Sequence, residues 1–247
     1  MLQTRMNIDD VDLEALEAMG PEDLIRYAIE NFSDRCAIGT SLQKTGVIII
    51  DMAAALARPY RVFFVDTLQN FPETYDLLEE IEKRYAITVE RFAPAPEEVD
   101  WLHKTFGQWP HFLAREHCCR VRKGRPHERA MATLDVWITG LRADQSDHRR
   151  EHARKASFEP AAKGRKVLKL SPLLHWTGEQ VDEYTRARAL PYNKLYDYVS
   201  PLGERYGVIG CPACHIPVKE EFGKRAGKFP WEHGKKECGL HKDGEGI

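Results

Sequence analysis

The stretch Cys36–Val65, CAIGTSLQKTGVIIIDMAAALARPYRVFFV, decides the fold. Its opening, Cys36–Thr40, reads as a short strand, its polar middle, Thr40–Gly46, as a turn, and the run from about Val47 to Leu56 as a helix. Arg61–Val65 then reads as a second strand, buried because its short continuous apolar run leaves no face for water. Strand, helix and strand at this spacing predict a βαβ unit with its two strands parallel.

Outward from this unit the same alternation continues. Pro72–Tyr85 is predicted as a helix with Leu77, Leu78 and Ile81 on one face, followed by strands at Ile87–Phe92, Asp135–Thr139 and Lys166–Leu170. Thr177–Arg188 is a helix begun by a threonine cap and closed before Pro191. On the N-terminal side, Val11–Ala18 and Pro21–Phe32 read as two short helices, the second with Pro at its first turn and two acids suited to the positive end of the dipole. The predicted class is α/β, a mostly parallel twisted sheet with helices on both faces. Residues 1–220 form one α/β unit, and residues 221–247 a C-terminal segment. Ligands of such sheets collect beyond the carboxyl ends of the strands. There the polar loops Thr40–Gly46, Asp66–Pro72 and Gly140–Arg150 follow directly from predicted strands.

Of 247 residues, 36 are Lys or Arg and 38 are Asp or Glu, a formal charge of −2 that argues against a general nucleic-acid coat. The apolar runs fall far short of the roughly 20 residues of a membrane span. The first residues show no basic region followed by an apolar one. A soluble, cytoplasmic protein without nucleic-acid or membrane partners is expected, and a homo-oligomer is compatible with the sequence.

Three constellations carry chemistry. The Thr40–Gly46 loop offers hydroxyls, an ammonium and helical N–H groups to a phosphate or sulfate, although it lacks the Gly-Lys-Ser/Thr order of a Walker A loop. The Gly140–Arg150 loop carries Arg142, His148, Arg149 and Arg150, and arginine forks suit oxyanions. Cys118-Cys119 and Cys211-Pro212-Ala213-Cys214 supply four thiols. With no export signal in view they read as ligands or reactive thiols rather than a disulfide framework. Adjacent cysteines suit the separated corners of an iron-sulfur cubane better than a single zinc ion, with zinc and redox thiols as the alternatives. Cys-Pro-Ala-Cys also looks like a thioredoxin-type pair, but it lies late in the chain rather than at a helix start after an early strand. Finally Cys238, with Lys235 and Lys236 before it and His241 after it, sits in a favourable setting for a thiolate. Gly234 and Gly239 flank it and would allow the tail to move.

The ordered set Val65-Asp66-Thr67, Phe71-Pro72-Glu73-Thr74-Tyr75, Cys118-Cys119-Arg120-Val121-Arg122-Lys123 and Thr139-Gly140-Leu141-Arg142-Ala143-Asp144-Gln145 resembles the assimilatory adenylyl-sulfate and phosphoadenylyl-sulfate reductases. So do the later segments Ser171-Pro172-Leu173-Leu174, Gly210-Cys211-Pro212-Ala213-Cys214, Arg225-Ala226-Gly227-Lys228 and Glu237-Cys238-Gly239-Leu240-His241. They resemble in particular the cluster-containing branch that uses thioredoxin.

The resemblance implies a nucleotide alpha-hydrolase-like fold related to the PP-loop ATP pyrophosphatases, with a mobile C-terminal catalytic segment. It implies that the Cys238 thiolate attacks the sulfur of adenylyl sulfate, expels AMP and becomes S-sulfonated, after which thioredoxin releases sulfite. Carried over by position, Cys118, Cys119, Cys211 and Cys214 would bind a 4Fe-4S cluster, and Lys123 would lie between cluster and substrate. Arg142, Arg225 and Lys228 would hold the phosphosulfate. Thr40, Ser41, Gln43, Lys44 and Thr67 would line the nucleotide pocket, Gly140 would present backbone to the adenosine, and His241 would be a further contact. Lys228 stands where the family pattern has Arg, which keeps the charge and loses the fork. Lys44 is the side chain that could meet a 3'-phosphate. Adenylyl sulfate is the expected substrate and its 3'-phosphorylated form the alternative, with a nucleotidyltransferase or ATP pyrophosphatase and a zinc-stabilised interaction module as further readings.

Overall fold

A computed structural model describes residues 6–232. Six strands form one sheet: β1 (Cys36–Thr40), β2 (Arg61–Val65), β3 (Val89–Phe92), β4 (Val136–Thr139), β5 (Ala156–Pro160) and β6 (Lys166–Leu170). Their order is β3-β2-β1-β4-β6-β5, parallel throughout except for β5 against β6. The helices are α1 (Leu13–Ala18), α2 (Pro21–Phe32), α3 (Lys44–Ala54), α4 (Pro72–Tyr85), α5 (Pro96–Phe106), α6 (Pro110–Leu113), α7 (Arg115–Cys119), α8 (Arg125–Met131), α9 (Asp147–His152) and α10 (Gly178–Ala187). A π-helical turn over Arg120–Gly124 joins α7 to α8.

Neighbouring residues of the central strands point to opposite faces, and both faces are covered. Ile38, Phe64 and Ile138 join the larger core with α2, α3, α4 and α10, while Ala37, Phe63 and Trp137 pack with Ala130 and Met131 of α8. That is why β1, β2 and β4 read as continuous apolar runs rather than alternating ones. Helix α3 is buried from Thr45 to Ala53, so it is apolar on nearly every side. Each of Ile48, Ile49 and Ile50, fully enclosed there, contributes about 1.5–3 kcal/mol. The exception, Asp51, accepts hydrogen bonds from Tyr85 Oη and Tyr184 Oη at 3.1 Å and from Arg188 Nε at 3.2 Å, tying α3 to α4 and α10.

The elements differ from the sequence reading in places that have local causes. Helix α1 begins at Leu13, not Val11, because the Asp12 carboxylate accepts from the N–H groups of Glu14 and Ala15 and fixes the start. Helix α3 begins at Lys44, not Val47, because the Gln43 carbonyl already accepts from Gly46 and Val47. Strand β3 begins at Val89, not Ile87, because Ala86 closes α4 in the left-handed conformation and Ile87 N–H still points back to Glu82. The expected Gly140–Arg150 loop contains α9, started by the Ser146 hydroxyl on the Arg149 N–H. Strand β5 and helices α5 to α8 were not predicted; β5 is a half-exposed edge whose sequence lacks an apolar run. Among the described residues no helix is long and apolar enough to cross a membrane.

Candidate active site

The chain runs outward in opposite directions from β1 and β4, so the crevice beyond their carboxyl ends is the switch point of the sheet. At its floor Thr40 Oγ1 accepts from Leu42 N–H at 2.9 Å, which turns the backbone into the left-handed conformation at Leu42 (φ 57°) and aims the start of α3 back across the strand ends. The close packing leaves no room for side chains at two glycines. A Cβ on Gly46 would strike Thr40 Oγ1, and one on Gly140 would lie 2.7 Å from Thr45 Oγ1. Gly140 therefore lets β4 and the α3 N-terminus meet, whatever else its backbone presents.

The cations of the crevice are held. Lys44 Nζ donates to Asp182 Oδ1 of α10 at 2.6 Å and lies 5.2 Å from the ring centres of both Tyr192 and Tyr196. Arg142 lays its fork on Asp144, with Nε to Oδ1 at 2.9 Å and Nη2 to Oδ2 at 3.1 Å. Asp144 Oδ2 also accepts from Gly178 N–H at 2.9 Å, fixing the entry to α10. Gln43 Nε2 donates to the Ile209 carbonyl at 3.3 Å, which ties the nucleotide-side loop to the segment that carries Cys211. Ser41 is exposed at the mouth.

The four sequence-selected thiols converge in a second pocket beside this crevice. Cys118 and Cys119 close α7, and Cys211 and Cys214 bracket a single 3-10 turn in which Cys214 N–H donates to the Cys211 carbonyl. All four are free and buried. Phe229, fully enclosed, packs on Cys119, Cys211 and Cys214, and its N–H donates to the Cys214 carbonyl at 2.8 Å. Burial pushes the Cys118 thiol up to about 11, with Cys119 adding to the rise and Arg122 opposing it. Burial likewise pushes Cys214 up to about 12, with Cys211 adding and Lys123 opposing. Thiols this close to one another ionise together only when a cation compensates them. Among the described residues no group of three or more His, Cys, Asp or Glu is arranged to hold a metal ion. A buried set of four mutually interacting thiols, flanked by cations, fits a multinuclear cluster by its donor chemistry.

Lys123, Lys228 and Arg225 all act on His215, whose ring burial and these cations bring down to about 3, so the imidazole is neutral at physiological pH. The structure thus gathers Lys123, Arg225 and Lys228 at the thiol pocket, and leaves Lys44 and Arg142 at the crevice. Thr67 joins the two: its hydroxyl receives the Cys211 thiol at 3.4 Å, and its carbonyl receives Arg122 Nη1 at 3.0 Å. Cys238 and His241 lie outside the described residues. Sequence reasoning assigned no role to Arg122, Asp182 or His215, and placed Asp144 in the arginine loop without pairing it to Arg142. Arg122 had a signal, since four residues from Cys118 on a helix is one turn and the same face. Asp182, on an ordinary solvent-facing helix, had none.

The family described as "Phosphoadenosine phosphosulfate reductase domain" matches residues 35–217. The chain belongs to that family. Among its reductase relatives, the adenosine 5'-phosphosulfate reductase of Halalkalibacterium halodurans is 34% identical over 96% of this chain and 98% of its own length. Adenosine 5'-phosphosulfate reductase 2 of Bacillus subtilis is 30% identical over 90% of this chain and 89% of its own. The crystal structure of a phosphoadenylyl-sulfate reductase from Candida auris, a phosphate complex, superposes with a TM-score of 0.68 at 25% identity, covering 86% of this chain and all of the other. That likeness is to the fold built above, a mostly parallel sheet, which in this chain has its crevice at the β1/β4 switch.

Proposed function

We propose that this reductase converts adenylyl sulfate to sulfite and AMP, with Cys238 as nucleophile and thioredoxin as electron donor. The observation that carries the reading is the convergence of Cys118, Cys119, Cys211 and Cys214 with Lys123, Arg225 and Lys228 beside a nucleotide-type crevice. It is supported by the names of its near full-length relatives, which are adenosine 5'-phosphosulfate reductases.

In this reading the Cys238 thiolate attacks the sulfur of adenylyl sulfate. The bond from that sulfur to the bridging oxygen breaks, and AMP leaves with its electron pair on a phosphate oxygen. A thioredoxin thiolate then attacks Cys238 Sγ, forming a mixed disulfide, and the sulfur-sulfonate bond breaks to release sulfite with both electrons. The second thioredoxin thiol resolves the disulfide and restores Cys238. Lys123, Arg225 and Lys228 stabilise the anionic groups that bind and depart. The four thiols would hold a 4Fe-4S cluster, which would supply electrostatic stabilisation to the site and order the pocket's walls.

The test is sulfite release from adenylyl sulfate with reduced thioredoxin, together with the intact mass after incubation without a reductant. A gain of one SO3 group on the C-terminal peptide, absent in Cys238→Ser, is expected. Sulfite release by Cys238→Ser at the parent rate would overturn the assignment of the nucleophile, and a protein inert to adenylyl sulfate would overturn the function.

A further inference from the structure

The crevice contains an ion pair to which the reaction proposed above assigns no step. Lys44, the first residue of α3, stands at the switch point where a nucleotide would enter, and its ammonium is bound by Asp182 at 2.6 Å rather than offered to the crevice. The pair is capped by aromatic faces, with the Tyr192 and Tyr196 ring centres each 5.2 Å from Nζ. Lys194 Nζ also lies 4.5 Å from the Tyr192 ring centre, and Asp197 accepts from Tyr192 Oη at 3.1 Å. Of the two ammonium groups at this rim, Lys44 is the one held directly by a carboxylate. The rim is continuous with the oxyanion side of the crevice, because the Tyr196 phenol feels both Arg142 and Asp182. Asp182 is 46% exposed, so its charge reaches solvent at the mouth, whereas the Lys44 side chain is 25% exposed and lies beneath it.

A nucleotide with a second phosphate on its ribose brings two further negative charges to such a rim. It must then displace Asp182 from Lys44 or lie against the carboxylate, and either course costs free energy that an unphosphorylated ribose does not incur. We propose that Asp182 is a specificity-determining residue, which by holding Lys44 excludes 3'-phosphorylated nucleotides and selects adenylyl sulfate. The inference deepens the function proposed above and rests on it for the identity of the substrate.

The experiment compares kcat/KM for adenylyl sulfate and for its 3'-phosphorylated analogue, with reduced thioredoxin, in the parent protein, in Asp182→Asn and in Asp182→Asn combined with Lys44→Gln. The parent is expected to prefer adenylyl sulfate. Asp182→Asn, nearly isosteric and on a half-exposed site, should reduce that preference about tenfold by releasing the ammonium, and the added Lys44→Gln should bring most of it back. A preference unchanged in Asp182→Asn, or a parent that prefers the 3'-phosphorylated analogue, overturns the inference. A parallel equilibrium titration with AMP and with adenosine 3',5'-bisphosphate needs no turnover. If the parent released no sulfite from either nucleotide, the proposed reaction would fall while this titration still decided the role of Asp182. An unchanged ratio of the two affinities in Asp182→Asn overturns that role.

Discussion

The crevice and the thiol pocket lie side by side, yet they treat positive charge in opposite ways. In the crevice, Lys44 is met by Asp182 and Arg142 by Asp144. In the thiol pocket, Arg122 and Lys123 act on Cys118 and Cys214, and pull their thiols down against the effect of burial. Carboxylates are permanent anions at physiological pH, whereas thiols become anions only when something makes ionisation favourable. The crevice is therefore electrostatically finished as it stands, and the thiol pocket is completed by whatever compensates its sulfurs. That difference separates a recognition surface from a reactive one.

The largest expected effect is at the second region. Cys119→Ser removes one sulfur from the set of four, and on the cluster reading proposed above the purified variant should lack the parent's iron, its brown absorbance and its sulfite release together. Iron retained at the parent stoichiometry in that variant would break the contrast, because the pocket would then not be what Cys119 completes.

Next in size is Arg122→Ala. Arg122 is 4% exposed, donates to the Thr67 carbonyl and interacts with Cys118, so truncation strands a buried carbonyl and leaves a void. A loss of about 2–4 kcal/mol in unfolding free energy is expected, read from urea denaturation. Arg122→Lys should recover only part of it, since an ammonium cannot span both partners. A loss below about 0.5 kcal/mol would show that the thiol pocket does not depend on its cations.

Cys36 provides a thiol with neither kind of partner set. It lies in β1, fully enclosed, and burial pushes it up to about 12, against a weak pull from Arg61. The folded state therefore keeps a proton that the unfolded chain sheds above its ordinary value of 9.0. The resulting stability is fully present below that value and is lost as pH rises toward 12, by about 2 kcal/mol near pH 10.5. Tyr60 and Tyr184, each raised to about 12 by burial and Asp51, act in the same direction. Thermal unfolding followed from pH 8 to about pH 11 should show the decline, and Cys36→Ala should flatten its lower part.

Most of this frame was legible because burial on both faces writes itself into the sequence. The runs at Cys36–Thr40, Arg61–Val65 and Lys166–Leu170 match β1, β2 and β6 residue for residue, and Pro72–Tyr85 matches α4. The thiol pairs were legible for a different reason, since adjacent and near-adjacent cysteines are rare enough to stand out. Strand β5 was not, because an edge strand needs no apolar run and its one neighbour, β6, supplies the pairing. Nor was the carboxylate partner of Lys44. Asp182 lies 138 positions from it, and a solvent-facing acid on a helix looks the same in sequence whether or not a lysine folds against it. That pairing is a property of the fold, set by how α3 and α10 pack, and not of any local pattern, whereas Asp144 is two positions from Arg142.

The smallest effect sharpens the contrast from the crevice side. Asp144 is 35% exposed on its side chain, so its fork with Arg142 is screened by water and salt. Asp144→Asn removes the charge and keeps an acceptor for the Gly178 N–H, and the expected cost in stability is only about 0.5–1 kcal/mol, falling further at high salt. The informative reading is the direction of binding. With its carboxylate gone, Arg142 is released to anions, so AMP should bind this variant at least as tightly as the parent, measured by calorimetric titration. Weaker binding would mean that Asp144 aims the guanidinium at the ligand rather than restraining it, and the crevice would then share with the thiol pocket a charge poised for use.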